Sequence, residues 1–325
     1  MDGAVSRSDP TRVPCHLDGC PASAAADPVP TVRENRVQIP APVDDAAAVL
    51  AQIQALAAGL PELPADADLT PVFPRPGGVS GQWVNASGRS ATDAGAVLYA
   101  HGGGFADTEP QAERLMAYWL STATGRPVFA VDYRLAPAHP FPAAPDDVVA
   151  VYRSLLDQGA PASRCLLFGE SAGATLVLSA LLALKETGQR MPAGAILVSP
   201  LTDLTLSSPS LTANDGLDTI SRAALEKVIA RYLAGARPDL APQSPLHGDL
   251  GGLPALLLVA GSAEVLLDDA RRFAAAATAA GTDVTLDVYD GMPHTFHLAM
   301  LSGTPLTTTT TFLRRLADWT HERQR

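Results

Sequence analysis

Gly169, Glu170, Ser171, Ala172 and Gly173 spell G-x-S-x-G between an apolar run, CLLFGE, and a longer apolar stretch, ATLVLSALLAL. A serine hydroxyl becomes a nucleophile when it is lifted out on a sharp turn between a strand and a helix. Small neighbours avoid clashes there, and the helix N-terminus favours developing negative charge. The plainer reading is a serine that only caps a helix. The setting favours the first, so Ser171 is expected as the nucleophile of an acyl transfer. A second pattern, VLYAHGGGFAD, places Gly102, Gly103 and Gly104 after His101 and another apolar run. Consecutive glycines let backbone N–H groups approach a carbonyl oxygen. With the N–H of Ala172 they would form an oxyanion hole. A flexible turn or a phosphate-binding loop are the alternatives, but the G-x-G-x-x-G spacing and a downstream acidic ribose partner are both missing.

Such chemistry needs a general base and a group that orients it. In the chain order serine, acid, histidine, the base falls near the C-terminus, where His294 and His297 stand in VYDGMPHTFHL. His294 follows a strand-like run in a loop containing Gly and Pro, so it is the expected base. His297 is read as packing or as a hydrogen bond at the start of a helix. His16 and His321 are terminal, and His139 and His247 lie in Pro-rich stretches, where a solvated or structural imidazole is expected. After the apolar run PALLLVAG come SAEVLLDDARRF, and Glu264, Asp268 and Asp269 compete for the acid. Glu264 is nearest the end of the run and is preferred, whereas Asp268 and Asp269 read as first-turn residues that complement a helix dipole. Neither a metal nor an organic cofactor is required.

These residues must be held by something, and the chain supplies a regular frame. Six short apolar runs, AGAVLYA, PVFAVDY, CLLFGE, AILVSP, PALLLVAG and VTLDVYDG, are separated mostly by helix-length segments. That alternation predicts an α/β protein with a mostly parallel sheet. The near-continuous hydrophobicity of the runs fits strands covered on both faces. Covering helices are expected at about 111–124, 145–158, 172–187, 268–280 and 307–323. An amphipathic helix is expected from Asp44 towards Leu60, followed by a Pro- and Gly-rich connector over Pro61–Gly78. One segment, about 206–249, breaks the alternation and carries a helical stretch, SRAALEKVIARYLAG. An insertion between strands of such a sheet falls over its carboxyl edge, where ligands bind, so this one reads as a lid.

With 325 residues, 47% hydrophobic and 18% charged, the composition is that of a compact globular chain. Lys and Arg number 23 against 34 Asp and Glu, a net charge of −11 that disfavours nucleic acid and anionic lipid as partners. No apolar stretch approaches the roughly 20 residues of a membrane span. Residues 1–30 are rich in Ala, Pro, Ser and Asp without periodicity and read as a disordered tail lacking the apolar core of a secretory leader, which makes the cytoplasm the expected location. Cys15 and Cys20 lie in that tail, with His16 between them, but no second ligand pair for zinc follows. The third cysteine, Cys165, lies in an apolar run, and an odd count argues against a disulfide framework.

Taken in order, HGGGF, YRLAPAHPFPAAPDD, GESAG, SPLTDLT, GSAEVLLDD and GMPH resemble the bacterial esterases of the hormone-sensitive-lipase family, also called family IV, from about residue 40 to the C-terminus. The resemblance implies an α/β-hydrolase fold with a helical cap, built here from about 40–75 and from the insertion at 206–249. It also implies a nucleophile at Ser171, a base at His294, oxyanion donors at Gly103, Gly104 and Ala172, and a homodimer. The family's usual acid is an Asp followed by Pro-Leu, and Glu264, followed by Val265 and Leu266, stands at that place. Glu170, Ala174 and Ala138 replace residues common in the family. The expected activity is hydrolysis of a small-molecule carboxylic ester. A lactonase or natural-product deacetylase would use the same groups, and a non-catalytic small-molecule receptor on the same fold is the alternative from another class.

Overall fold

A computed structural model of the chain describes residues 32–37 and 44–323. The expected N-terminal tail, with Cys15, His16 and Cys20, lies outside the described residues. In chain order the elements are β1 (Arg33–Val37), α1 (Asp44–Leu56), β2 (Gly81–Val84), α2 (Ala91–Ala94), β3 (Val97–Ala100), α3 (Pro110–Thr124), β4 (Val128–Val131) and α4 (Ala143–Asp157). There follow β5 (Leu166–Glu170), α5 (Ala172–Glu186), β6 (Gly194–Val198), α6 (Ser210–Ala213), α7 (Arg222–Leu233), β7 (Ala255–Gly261), α8 (Leu267–Ala279), β8 (Val284–Tyr289) and α9 (Thr307–Glu322).

The strands form one eight-stranded sheet in the order β1-β8-β7-β6-β5-β3-β4-β2. Every neighbouring pair is parallel except β2 with β4. The six apolar runs are the six central strands, and each helix expected to cover them forms within two residues of the expected ends. Side chains alternate across a strand, so each run divides its residues between two cores. Leu98 and Ala100 join one core with Leu167 and Leu258, whereas Val97 and Tyr99 join the other with Phe168 and Leu257. Both faces are therefore apolar, which is why the runs show no polar alternation.

Two strands were not anticipated. β1 is mostly exposed and polar, and β2 is four residues long, so neither produces an apolar run. Both lie at sheet edges, where one side has no partner strand and the apolar requirement is weaker. The Pro61–Gly78 connector is largely irregular, with one isolated bridge between Asp68 and Asn85 and a short 3-10 turn at Pro76–Gly78.

Parallel pairing also dictates where function can sit, because the carboxyl ends of the central strands fall on one edge. Ala100 pairs with Gly169, Glu170 with Val198, Val198 with Val259, and Gly261 with Tyr289. The loops that leave β3, β5, β6, β7 and β8 consequently emerge side by side.

Candidate active site

The turn between β5 and α5 brings Ser171 to that edge. Its backbone has φ +52° and ψ −121°, a conformation rare for a residue with a side chain. Packing on both sides enforces it. The Ser171 N–H donates to the Val198 carbonyl oxygen at 2.9 Å, which anchors the turn to the end of β6. A Cβ on Gly169 would lie 2.5 Å from the Gly173 carbonyl oxygen, and one on Gly173 would lie 2.1 Å from that of Ala100. Those distances are the physical reason for both glycines in the motif: the turn folds against itself and against β3 too closely for any side chain.

His294 reaches the same point from the loop after β8, with its Nε2 at 2.8 Å from Ser171 Oγ. The imidazole is 5% exposed, and its other nitrogen, Nδ1, faces Glu264 Oε2 at 3.5 Å. Neither of those two atoms has another hydrogen-bonding partner. Glu264 is fully buried. Its second oxygen, Oε1, accepts from the Gly261 N–H at 2.6 Å and from Ser199 Oγ at 2.7 Å. Burial raises the carboxyl above the ordinary glutamate value, and the opposing pull of His294, Gly261 and Ser199 does not cancel it.

The competing acids face elsewhere. Asp268 accepts from the Ser210 N–H at 2.9 Å and stands 3.6 Å from Arg271. Asp269 accepts from the Thr202 and Asp203 N–H groups at 2.7 and 3.0 Å. Both occupy the first turn of α8, as expected, but their partners are Arg271, the Ser208 hydroxyl and backbone groups of the insertion and of the loop after β6. His297 is fully buried behind Ser171, where its Nε2 meets Glu170 Oε2 at 2.5 Å. Burial would raise the Glu170 carboxyl, yet His297, Tyr99 and the Gly102 N–H together hold it below the usual range. His247 pairs with Asp203 at 3.1 Å, away from Ser171.

The glycine loop after β3 lies beside Ser171. Gly103 and Gly104 have φ of +90° and +59°, and a Cβ on Gly103 would stand 2.1 Å from the Asp107 carbonyl oxygen. The N–H groups of Gly103, Gly104 and Ala172 donate to no other group among the described residues. Gly102 departs from the expectation, because its N–H is directed at Glu170 Oε1, 3.5 Å away, and so is engaged from behind the loop. Tyr133, from the YRLAPAHPFPAAPDD motif, donates its hydroxyl to the His101 carbonyl oxygen at 2.8 Å and stacks on the His101 ring at 4.3 Å between centroids. α7 closes the loop from the front, with Tyr232 stacked on Phe105 at 3.9 Å.

A cavity of about 420 Å³ opens onto these groups. Its walls include Ser171 and His294 and, from α1 and the residues after it, Leu56 and Leu60, together with Ile220 from the insertion. Among the described residues no cluster of three His, Cys, Asp or Glu side chains could hold a metal ion, and no helix is long and apolar enough to cross a membrane.

Sequence reasoning missed two contributors to the site. Ser199 donates to Glu264 and also accepts from the Thr295 N–H at 3.0 Å, joining the acid to the histidine loop. Asp218, in the insertion, accepts from the His294 N–H at 2.7 Å. Ser199 begins the SPLTDLT run, so its place at a strand end was the one available hint.

Comparison with known proteins places the fold and the family. A family model described as an alpha/beta hydrolase fold matches residues 97–298. An acetyl-hydrolase of Streptomyces hygroscopicus is 43% identical over 222 residues, covering 68% of this chain and 73% of that one. An esterase of Acinetobacter venetianus is 40% identical over 223 residues, with the same coverage of 68% and 73%. Among solved structures, an esterase from the bacterial hormone-sensitive lipase family superposes with a TM-score of 0.79 at 33% identity, covering 87% of this chain and 99% of that one.

Proposed function

The chain belongs to the α/β-hydrolases and, within them, to the bacterial hormone-sensitive-lipase-like esterases of family IV, and on that footing we propose that it hydrolyses small carboxylic esters through an acyl-enzyme on Ser171. The observation that carries the reading is the 2.8 Å contact between Ser171 Oγ and His294 Nε2 at the wall of the cavity.

His294 takes the Ser171 proton as Oγ attacks the ester carbonyl carbon. The carbonyl oxygen, now negative, sits against the unpartnered N–H groups of Gly103, Gly104 and Ala172. Each such donor contributes about 2.7–4 kcal/mol to lowering the barrier. His294 then gives the proton to the departing alkoxide. Water enters, His294 deprotonates it as it attacks the acyl carbon, and the bond to Oγ then breaks as His294 returns the proton to Oγ, which frees the acid and restores Ser171. Glu264 keeps the imidazole proton on Nδ1 and stabilises the ring when it is charged.

α1 and the 206–249 insertion serve as the cap. Leu56, Leu60 and Ile220 line the cavity with apolar surface, as an ester's acyl or alcohol portion requires. The similarity to an acetyl-hydrolase favours a short acyl chain. The test is hydrolysis of p-nitrophenyl acetate and butyrate by the wild type and by Ser171→Ala. A loss on the order of 10⁶ in turnover is expected, and equal rates would remove Ser171 from the reaction.

A further inference from the structure

The acid and the base belong to loops that follow different strands, and the insertion ties them together. Asp218 lies between α6 and α7 in the stretch NDGLDTI. Its Oδ1 accepts from the His294 N–H at 2.7 Å, and its Oδ2 accepts from the Val265 N–H at 2.8 Å. One carboxylate thus spans the peptide of the proposed base and the peptide that follows the proposed acid. Four residues earlier, Asn214 Nδ2 donates to the carbonyl oxygens of Glu264 at 2.7 Å and Ser262 at 3.1 Å. The acid loop is gripped from both sides of its backbone, carbonyls by Asn214 and N–H by Asp218. Two residues on, Ile220 lines the cavity.

The contact most sensitive to this grip is the one with slack. Glu264 Oε2 and His294 Nδ1 stand 3.5 Å apart and have no other partners, so their separation follows wherever the two loops are placed. On one side the loops join directly, through the Ala263 N–H to the Met292 carbonyl oxygen at 3.1 Å and the Gly291 N–H to Ser262 Oγ at 2.7 Å. Asp218 joins them from the insertion.

We infer that Asp218 is a positioning residue whose carboxylate sets the spacing of the acid and base loops, so that the proposed Glu264–His294 relay depends on how the pocket-lining insertion is seated. The inference rests on reading Glu264 and His294 as acid and base. A carboxylate is suited to the task because both of its targets are N–H donors. An asparagine of the same shape satisfies one and presents an amide N–H to the other.

The experiment is a set of double-mutant cycles on the full chain, with p-nitrophenyl acetate as the probe. Asp218→Asn is expected to lower kcat by roughly ten- to a hundredfold, the scale of an ångström-sized misplacement, with KM within about twofold of wild type. In the Glu264→Gln background the same substitution should cost less than about threefold, because the contact it tunes is already gone. A merely structural role would give the same loss in both backgrounds. That result, or a kcat for Asp218→Asn within about twofold of wild type, overturns the inference. Asn214→Ala should repeat the pattern with a smaller loss, and it decides the matter by the same two criteria if Asp218→Asn does not fold. Failure of the underlying reading is seen separately, as a Glu264→Gln enzyme that keeps the wild-type rate before any change in the insertion.

Discussion

Replacing Glu264 by glutamine leaves the shape of the site intact and inverts its hydrogen-bonding logic. In the wild type, Oε1 takes two donors, the Gly261 N–H and the Ser199 hydroxyl. The backbone N–H has no alternative role, so the amide oxygen of a glutamine must occupy that position. Its NH₂ then faces His294 Nδ1 across the 3.5 Å gap. An amide N–H donating to Nδ1 places the imidazole proton on Nε2, pointing at Ser171 Oγ, and such a ring cannot accept the serine proton. The attraction that steadies the charged imidazolium is lost as well. At 3.5 Å and an effective dielectric of about 20 that attraction is worth about 5 kcal/mol, or about three and a half powers of ten in rate. Loss of the corresponding acid in a serine-protease triad costs about 10⁴. A fall of roughly 10³–10⁴ in kcat for p-nitrophenyl acetate is therefore expected, with KM nearly unchanged. Stability should not fall, because burial raises the Glu264 carboxyl and a neutral side chain escapes that penalty. Initial rates and thermal unfolding on the same preparations test both halves. A variant within about tenfold of the wild-type rate would refute the reasoning, and that outcome together with loss of activity in Asp268→Asn would move the role to Asp268.

Gly103→Ala should lower kcat/KM by about 10²–10³, the loss of one oxyanion donor, since the new methyl group meets the Asp107 carbonyl oxygen at 2.1 Å in a left-handed backbone; a wild-type rate would show that this N–H takes no part. Leu60→Trp narrows the cavity and should reduce the butyrate-to-acetate ratio of kcat/KM roughly tenfold; an unchanged ratio would place the acyl group elsewhere. Burial pushes Asp269 up to about 6 from the ordinary 3.8. Its folded-state proton is thus released only at higher pH than in the unfolded chain, so its contribution to stability is present in full below about pH 4 and is lost as the pH rises towards 6. Asp269→Asn removes that dependence and should gain on the wild type by up to about 3 kcal/mol between pH 4 and 7 in urea unfolding; parallel stability curves for the two proteins would contradict it.

The central strands were legible because a strand buried on both faces must be apolar throughout, and six such runs were plain to see. The turn that carries Ser171 was legible because Gly169 and Gly173 mark places where backbone approaches backbone too closely for a side chain, against Gly173 itself in the first case and against Ala100 in the second. β1 and β2 were not, since an edge strand need not be apolar and its pairing is decided by what lies beside it. The same limit governed the site. Which histidine faces Ser171, and which acid faces that histidine, is only narrowed by chain order and by nearness to a strand end, which leaves His297, Asp268 and Asp269 as competitors; the facing itself is a matter of how the sheet brings the loops together. The engaged N–H of Gly102, the two-sided role of Ser199 and the bridge at Asp218 belong wholly to the tertiary structure. Each joins residues between 47 and 96 positions apart in the chain. Short-range chemistry such as turn strain and burial is written into neighbouring residues, whereas a hydrogen bond across an assembled edge depends on two distant segments arriving together, and no single segment carries its mark.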